Sequence, residues 1–279
     1  MRITITGANG QLGGALIASL APQHTITALG HVDLELSDPA ATATIVATHA
    51  DLVIHAGAYT NVDGCARDPD LAYRVNGLGT RYVALACRTL GAPLVYISTN
   101  EVFDGADARF YREYDPTGAV NAYGASKLIG EQAVRELVPQ HYIARVAWLY
   151  GGERNFVRTV LRLAAERPSL AMVTDEIGSP TATHDVAAAV SELITQPQYG
   201  TYHLVNSGHV SRHDFAAEIL RQRGITSCTL GHTTLAEYKR ASRVPPHTPL
   251  RNIAAADLGI VLRPWQDALA AYLERTSAA

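Results

Sequence analysis

Over the first 150 residues, short runs of β-branched and apolar residues alternate with segments whose apolar positions recur every three or four residues. The first run, Met1-Arg2-Ile3-Thr4-Ile5-Thr6, passes directly into Gly7-Ala8-Asn9-Gly10-Gln11-Leu12-Gly13, and a helical pattern follows at Leu16, Ile17 and Leu20. Further strands are predicted over 25–29, 51–55 and 93–99, the last so continuously apolar that it belongs at the centre of a parallel sheet. Helical spacing runs over 69–90, where Gly91 closes it, and resumes around Tyr123 before another strand from Tyr142. This alternation predicts an α/β fold, a Rossmann-like doubly wound parallel sheet. Beyond Gly151 it loosens into helices over 155–166, 184–194 and 211–223, strands over 170–173 and 200–205, and a Pro-containing segment over 243–249. The expected division is a dinucleotide-binding domain over 1–150 and a smaller C-terminal α/β substrate-binding lobe over 151–279, with some segments free to return to the first domain.

Composition narrows the function classes. The 279 residues are 47% hydrophobic and 18% charged, as in ordinary globular proteins, and the net charge of −3 offers no basic field, so nucleic acid is not an expected partner. No apolar run approaches the roughly 20 residues that span a bilayer, and the chain enters a strand at once rather than a leader, so no membrane association is expected. Cys65, Cys87 and Cys228 lie far apart without metal-ligand spacing. These features fit a reduced, cytoplasmic protein with no metal site.

The strand, glycine turn and helix at the N-terminus carry the first chemical signal. Gly7 permits a tight turn, Gly10 a close approach of backbone to a pyrophosphate, and Gly13 close helix–strand packing, while the helix N-terminus presents N–H groups to the anion. The spacing is G-x-x-G-x-x-G. At the end of the second strand, where such a fold places the adenosine ribose, stands His31; Glu35 follows, able either to reach an adenine or to serve only as a helix-start residue. Ala56-Gly57-Ala58 is a run of small residues against which a flat ring can lie. Ser98 and Thr99 end the central strand, at the edge where ligands of open parallel sheets gather. Tyr123 and Lys127, four apart, share one helical face. A cation within about 4–6 Å stabilises a phenolate, so the pair predicts a tyrosine of lowered pKa that exchanges a proton with a substrate oxygen.

Taken together, Gly7-x-x-Gly10-x-x-Gly13, the Ser98-Thr99 strand end and Tyr123-x-x-x-Lys127 resemble the extended short-chain dehydrogenase/reductase superfamily. The stretches GANGQLG, AGAYTNVDGCA, STNEVFDG, NAYGASKLIGEQ, VAWLYG, NFVRTVLRLA, IGSPT and LRPWQDALAAYL extend the resemblance nearly end to end, to the dTDP-4-dehydrorhamnose reductase family. That resemblance implies an oxidoreductase using NADPH or NADH to reduce the 4-keto group of a dTDP-6-deoxy-hexulose. It implies Tyr123 as proton donor, Lys127 on the nicotinamide ribose, Thr99 orienting the carbonyl, and Trp148 and Asn100 on the sugar. It further implies Gly10, Gln11 and Leu12 on the pyrophosphate, Glu35 and Leu36 on the adenine, and Ala56, Gly57 and Ala58 along the cofactor. A homodimer is left open. Asn100 stands where relatives usually carry Asp, His31 where an Arg is common, and Ala15 where some members have an acidic metal ligand. Two other readings compete. Sugar-nucleotide dehydratases and epimerases share the superfamily, and Glu101 matches the glutamate of the dehydratase Asp-Glu pair, but Asn100 cannot act as its acid. A regulatory subunit of methionine adenosyltransferase resembles the family too, although Thr99, Tyr123 and Lys127 are all retained here.

Overall fold

In the computed structural model, which describes residues 1–277, six of the apolar runs pair into one parallel sheet. The first half supplies β1 (Arg2–Thr6), α1 (Gln11–Leu20), β2 (Thr25–Leu29), α2 (Ala41–Val46), β3 (Leu52–His55), α3 (Val62–Arg67), α4 (Pro69–Ala72), α5 (Gly79–Leu90), β4 (Leu94–Thr99), α6 (Ala122–Leu137) and β5 (His141–Val146). The second half supplies β6 (Leu149–Tyr150), α7 (Phe156–Glu166), β7 (Ser169–Val173), β8 (Ile177–Gly178), β9 (Thr181–Ala182), α8 (Thr183–Leu193), β10 (Gly200–His203), β11 (Val210–Ser211), α9 (Arg212–Gln222), β12 (Thr229–Thr233), α10 (Ala254–Asp257) and α11 (Trp265–Ser277).

The strand order is β10-β5-β4-β3-β1-β2. Burial follows position: every residue of β3 and β4 is buried, whereas the edge strand β2 is mostly open to solvent. Leu12, Leu16 and Leu20 of α1 join Val186, Val190 and Leu193 of α8 on one face of the sheet. Val83 and Cys87 of α5 and Val134 of α6 cover the other. Chain order reverses at β1, since β2 lies on one side of it and β3 on the other. This is the switch point at which doubly wound sheets bind ligands.

The chain does not leave the first domain for good at residue 150, because β10 pairs with β5 and α8 packs against α1. The remaining lobe is built by α7, α9 and α11 around Val157, Phe215, Ile219 and Leu269, with the parallel pair β7–β12 at its side. One expected helix is interrupted: over 69–90, Tyr73–Leu78 form a π-helical turn between α4 and α5. Such wide turns often mark functional places, and here the turn carries the buried Asn76. Among the described residues no helix is long and apolar enough to cross a membrane.

Candidate active site

The glycine turn leaves a cradle that side chains would fill. Gly7 has φ +70°, and a Cβ there would sit 2.5 Å from the Gly57 nitrogen. A Cβ on Gly13 would collide with the Gly7 carbonyl oxygen. Gly10 caps α1 in extended conformation without a side-chain hydrogen bond, so the N–H groups of Gln11, Leu12 and Gly13 open into the cradle with no carbonyl one turn earlier to bond. The Gln11 side-chain oxygen is buried there without a hydrogen-bond partner. A free helix N-terminus, an orphaned polar atom and backbone bare of Cβ atoms fit a dinucleotide pyrophosphate.

Around this cradle the nucleoside-side residues separate. Leu36 turns inward, lying over Gly57 and Gly79 so closely that a Cβ on either would meet it at about 3 Å or less. His31 and Glu35 are solvent-facing, with Nδ1 and Oε2 3.8 Å apart. The second Glu35 oxygen accepts from the Ser37 N–H at 3.0 Å and the Ser37 hydroxyl at 2.8 Å, and these bonds hold its pKa below the usual value. Ser37 and Asp38 do not cap α2, whose cap residue Ala40 makes no side-chain bond. Asp33, unremarked in the sequence, closes the β2 end by accepting from the Gly30 N–H at 2.9 Å.

Ala56, Gly57 and Ala58 leave the end of β3 beside Gly7, and the next residue ties this loop to α6. Asn76 accepts from the Tyr59 N–H at 2.8 Å and donates to the Tyr59 carbonyl and the Ser126 hydroxyl, both at 3.0 Å. His55, wholly buried, bridges Thr6 at 2.6 Å and Thr80 at 3.2 Å. The carboxyl ends of β1 and β3 and the helix bearing Tyr123 are thus one bonded unit.

Helix α6 starts at Asn121, whose side chain accepts from the Gly124 N–H at 2.8 Å. Its first turn brings Tyr123 to the end of β4, where the phenol lies near enough to the Thr99 hydroxyl for that group to favour the phenolate. Lys127, four residues on, is buried with its ammonium 4.1 Å from the Tyr96 ring centroid. The expectation that Lys127 lowers the phenol's pKa is reversed. Burial, then the Glu101 carboxylate, push Tyr123 well above its ordinary value against the opposing pull of Thr99. Lys127 itself is pulled down to about 7 by burial, opposed by Glu131. At neutral pH Tyr123 is therefore firmly protonated, a donor ready for an oxygen that becomes alkoxide-like.

Ser98 faces away from this pair. Its hydroxyl donates to Glu131 at 2.6 Å, and Glu131 takes a two-pronged ion pair from Arg145 at 2.8 and 2.9 Å. Burial raises the Glu131 pKa, but Arg145 and Ser98 outweigh it and leave the carboxyl below its usual range. The cluster fastens β4, β5 and α6 together from below.

The residues expected to meet the sugar come together from distant segments. Asn100 is buried, donating to the Thr248 hydroxyl at 2.7 Å and accepting from Thr99 at 3.3 Å. Trp148 adopts φ +42° between β5 and β6, with the Arg212 guanidinium 3.5 Å from its ring centroid and Gly178 against its indole. Arg212 also pairs with Glu176 at 2.9 Å. Arg212 and Glu176 were not legible, since neither is near Trp148 in sequence. Asn121 went unread as well, although Asn before a helical run is an N-cap signal.

The family model described as RmlD substrate binding domain matches residues 1–278. A Streptomyces griseus protein named dTDP-4-dehydrorhamnose reductase is 38% identical over 278 residues, covering 96% of this chain and 91% of its own. The chain belongs to the dTDP-4-dehydrorhamnose reductase family. Another relative, the spore coat polysaccharide biosynthesis protein SpsK of Bacillus subtilis, is 38% identical across 100% of this chain and 99% of its own. Among solved structures, the dTDP-4-dehydrorhamnose reductase of Bacillus anthracis, in complex with NADP, superposes with a TM-score of 0.95 at 35% identity, covering 98% of this chain and 99% of that one. The Clostridium acetobutylicum enzyme of that name also gives 0.95, at 36% identity over 99% and 100%. The likeness to the Streptomyces venezuelae dTDP-glucose 4,6-dehydratase, at 15% identity and a TM-score of 0.81, shows the fold alone.

Proposed function

We propose that this protein reduces the 4-keto group of a dTDP-6-deoxy-hexulose, converting dTDP-4-dehydrorhamnose to dTDP-rhamnose in the cytoplasm. The observation that carries the reading is the packing of the first turn of α6, which bears Tyr123, against the Thr99–Glu101 segment at the carboxyl end of β4, in the unit that also holds the glycine cradle. Gly7, Gly10, Gln11, Leu12 and Gly13 hold the pyrophosphate of NADPH or NADH, Leu36 lines the adenine, and Ala56–Ala58 and Lys127 lie along the rest. When bound, the nicotinamide supplies the hydride. The chain's own residues do the remainder. Thr99 donates a hydrogen bond to the carbonyl oxygen and fixes it against Tyr123. As negative charge develops there, the Tyr123 phenol gives up its proton, and the two donors stabilise the oxygen where water is excluded. Trp148, pinned by Arg212, walls the sugar.

Asn100 argues against dehydration, because its amide is a hydrogen-bond donor to Thr248 and holds no acidic proton. The test offers purified protein a dTDP-4-keto-6-deoxy sugar with NADPH and with NADH, follows absorbance at the reduced nicotinamide band, and identifies the product by NMR. Equimolar loss of reduced cofactor and appearance of a 4-hydroxy sugar are expected. Product formed without net cofactor consumption overturns the reading in favour of dehydration or epimerisation.

A further inference from the structure

We propose that Glu101 is a specificity-determining residue whose carboxylate accepts a hydrogen bond from the sugar hydroxyl on the carbon next to the ketone. This rests on the reductase reading above and extends it to the choice of sugar.

Glu101 sits in a single 3-10 turn directly after β4, and its N–H donates to the Thr99 hydroxyl at 3.2 Å. Its backbone carbonyl presses on Gly124, where any Cβ would collide with it, so the residue is locked against the first turn of α6 beside Tyr123. One carboxylate oxygen, Oε2, accepts from Asn121 at 2.6 Å. The same Asn121 amide donates to the Arg243 carbonyl at 2.9 Å, joining the C-terminal lobe to the catalytic helix. The other oxygen, Oε1, takes no hydrogen bond from the protein and is not sealed from solvent. Glu176, Arg240 and Arg212 act on Glu101 from the lobe side, and Glu101 in turn acts on the Tyr123 phenol and the Cys65 thiol on the sheet side.

With no protein donor on Oε1, that oxygen keeps its acceptor capacity for a hydroxyl that a ligand brings. The substrate's chemistry indicates which donor. With the ketone at C4 held by Thr99 and Tyr123, the flanking carbons are C5, which carries the methyl group, and C3, which carries a hydroxyl. Only the C3 hydroxyl can donate to Glu101. Asn121 fixes the carboxylate in place and is a positioning residue for it.

Steady-state kinetics on the whole protein test this with two substrates, a dTDP-4-keto-6-deoxy sugar and its 3-deoxy analogue. Wild type should prefer the 3-hydroxy substrate by about tenfold or more in kcat/KM, the scale of a hydrogen bond to a charged group. Glu101→Gln, isosteric and still able to accept from Asn121, should lose that preference through KM for the sugar while KM for NADPH is unchanged. Wild-type KM for the 3-hydroxy sugar should rise as acid protonates Glu101, and that rise should be absent in the variant. Equal wild-type kcat/KM for the two sugars overturns the proposal whatever the variant's fold, as does an equal loss with both sugars in Glu101→Gln. A wild type that reduces neither sugar removes the reductase reading and this inference with it.

Discussion

Tyr123 shows how a short motif can be placed correctly and charged wrongly. Its four-residue spacing from Lys127 puts both side chains on the face of α6 that meets β4. Spacing says nothing of what else surrounds a phenol, however, and burial together with Glu101 dominates. The consequence is a donor that stays protonated through neutral pH, with Thr99 as its partner. Thr99→Val removes one of two donors to the developing oxyanion, so kcat/KM should fall by about 10- to 100-fold, the range for a charged hydrogen bond, with cofactor affinity unchanged. Parallel titrations of reduced cofactor and initial-rate measurements check this, and a loss confined to cofactor binding would contradict it. At the same scale the strand pattern alone left Ser98 and Thr99 as equals, and only the family resemblance chose Thr99. The structure separates them because neighbouring strand residues point to opposite faces: Thr99 meets the phenol, and Ser98 meets Glu131.

At the scale of elements, the strands were the most readable part, since β3 and β4 are buried throughout and are apolar up to the polar residues at their carboxyl ends. The glycine turn was readable for the same local reason: Gly7 and Gly13 are required where backbone approaches backbone. The π-helical turn at Tyr73–Leu78 was not, because it accompanies the pairing of Asn76 with Tyr59, a contact across 17 positions that no periodicity encodes. Elements are also held by charge. Glu131 of α6 and Arg145 of β5 are both buried and face each other, and breaking such a pair leaves an uncompensated charge. Arg145→Met should cost about 3–5 kcal/mol of stability, read as a lower denaturant midpoint. A midpoint within error of wild type would show that Arg135, the second cation on Glu131, suffices alone.

At the scale of the whole molecule, the site exists because segments far apart in sequence converge on one edge of the sheet. Thr99–Asn100 meets Thr248, and Trp148 meets Gly178 and Arg212. These long-range junctions are why the sugar side was the least legible part of the chain. The same packing buries two imidazoles, His55 and His203, and holds each neutral with a pKa lowered from 6.5 to about 3, chiefly by burial. Between those values the unfolded chain binds more protons than the folded one, so stability falls as pH drops from about 6.5 toward 3. Urea midpoints at pH 7 and pH 4.5 should differ clearly, the acidic one lower; equal midpoints would contradict the burial of both rings.

The central claim is that the Tyr123 phenol delivers the proton in a ketone reduction, and Tyr123→Phe tests it most directly. Turnover of reduced cofactor with a dTDP-4-keto-6-deoxy sugar should drop by about 10²-fold or more, the scale of a lost general acid, while the variant binds NADPH as tightly as wild type. Undiminished turnover in Tyr123→Phe would contradict the account.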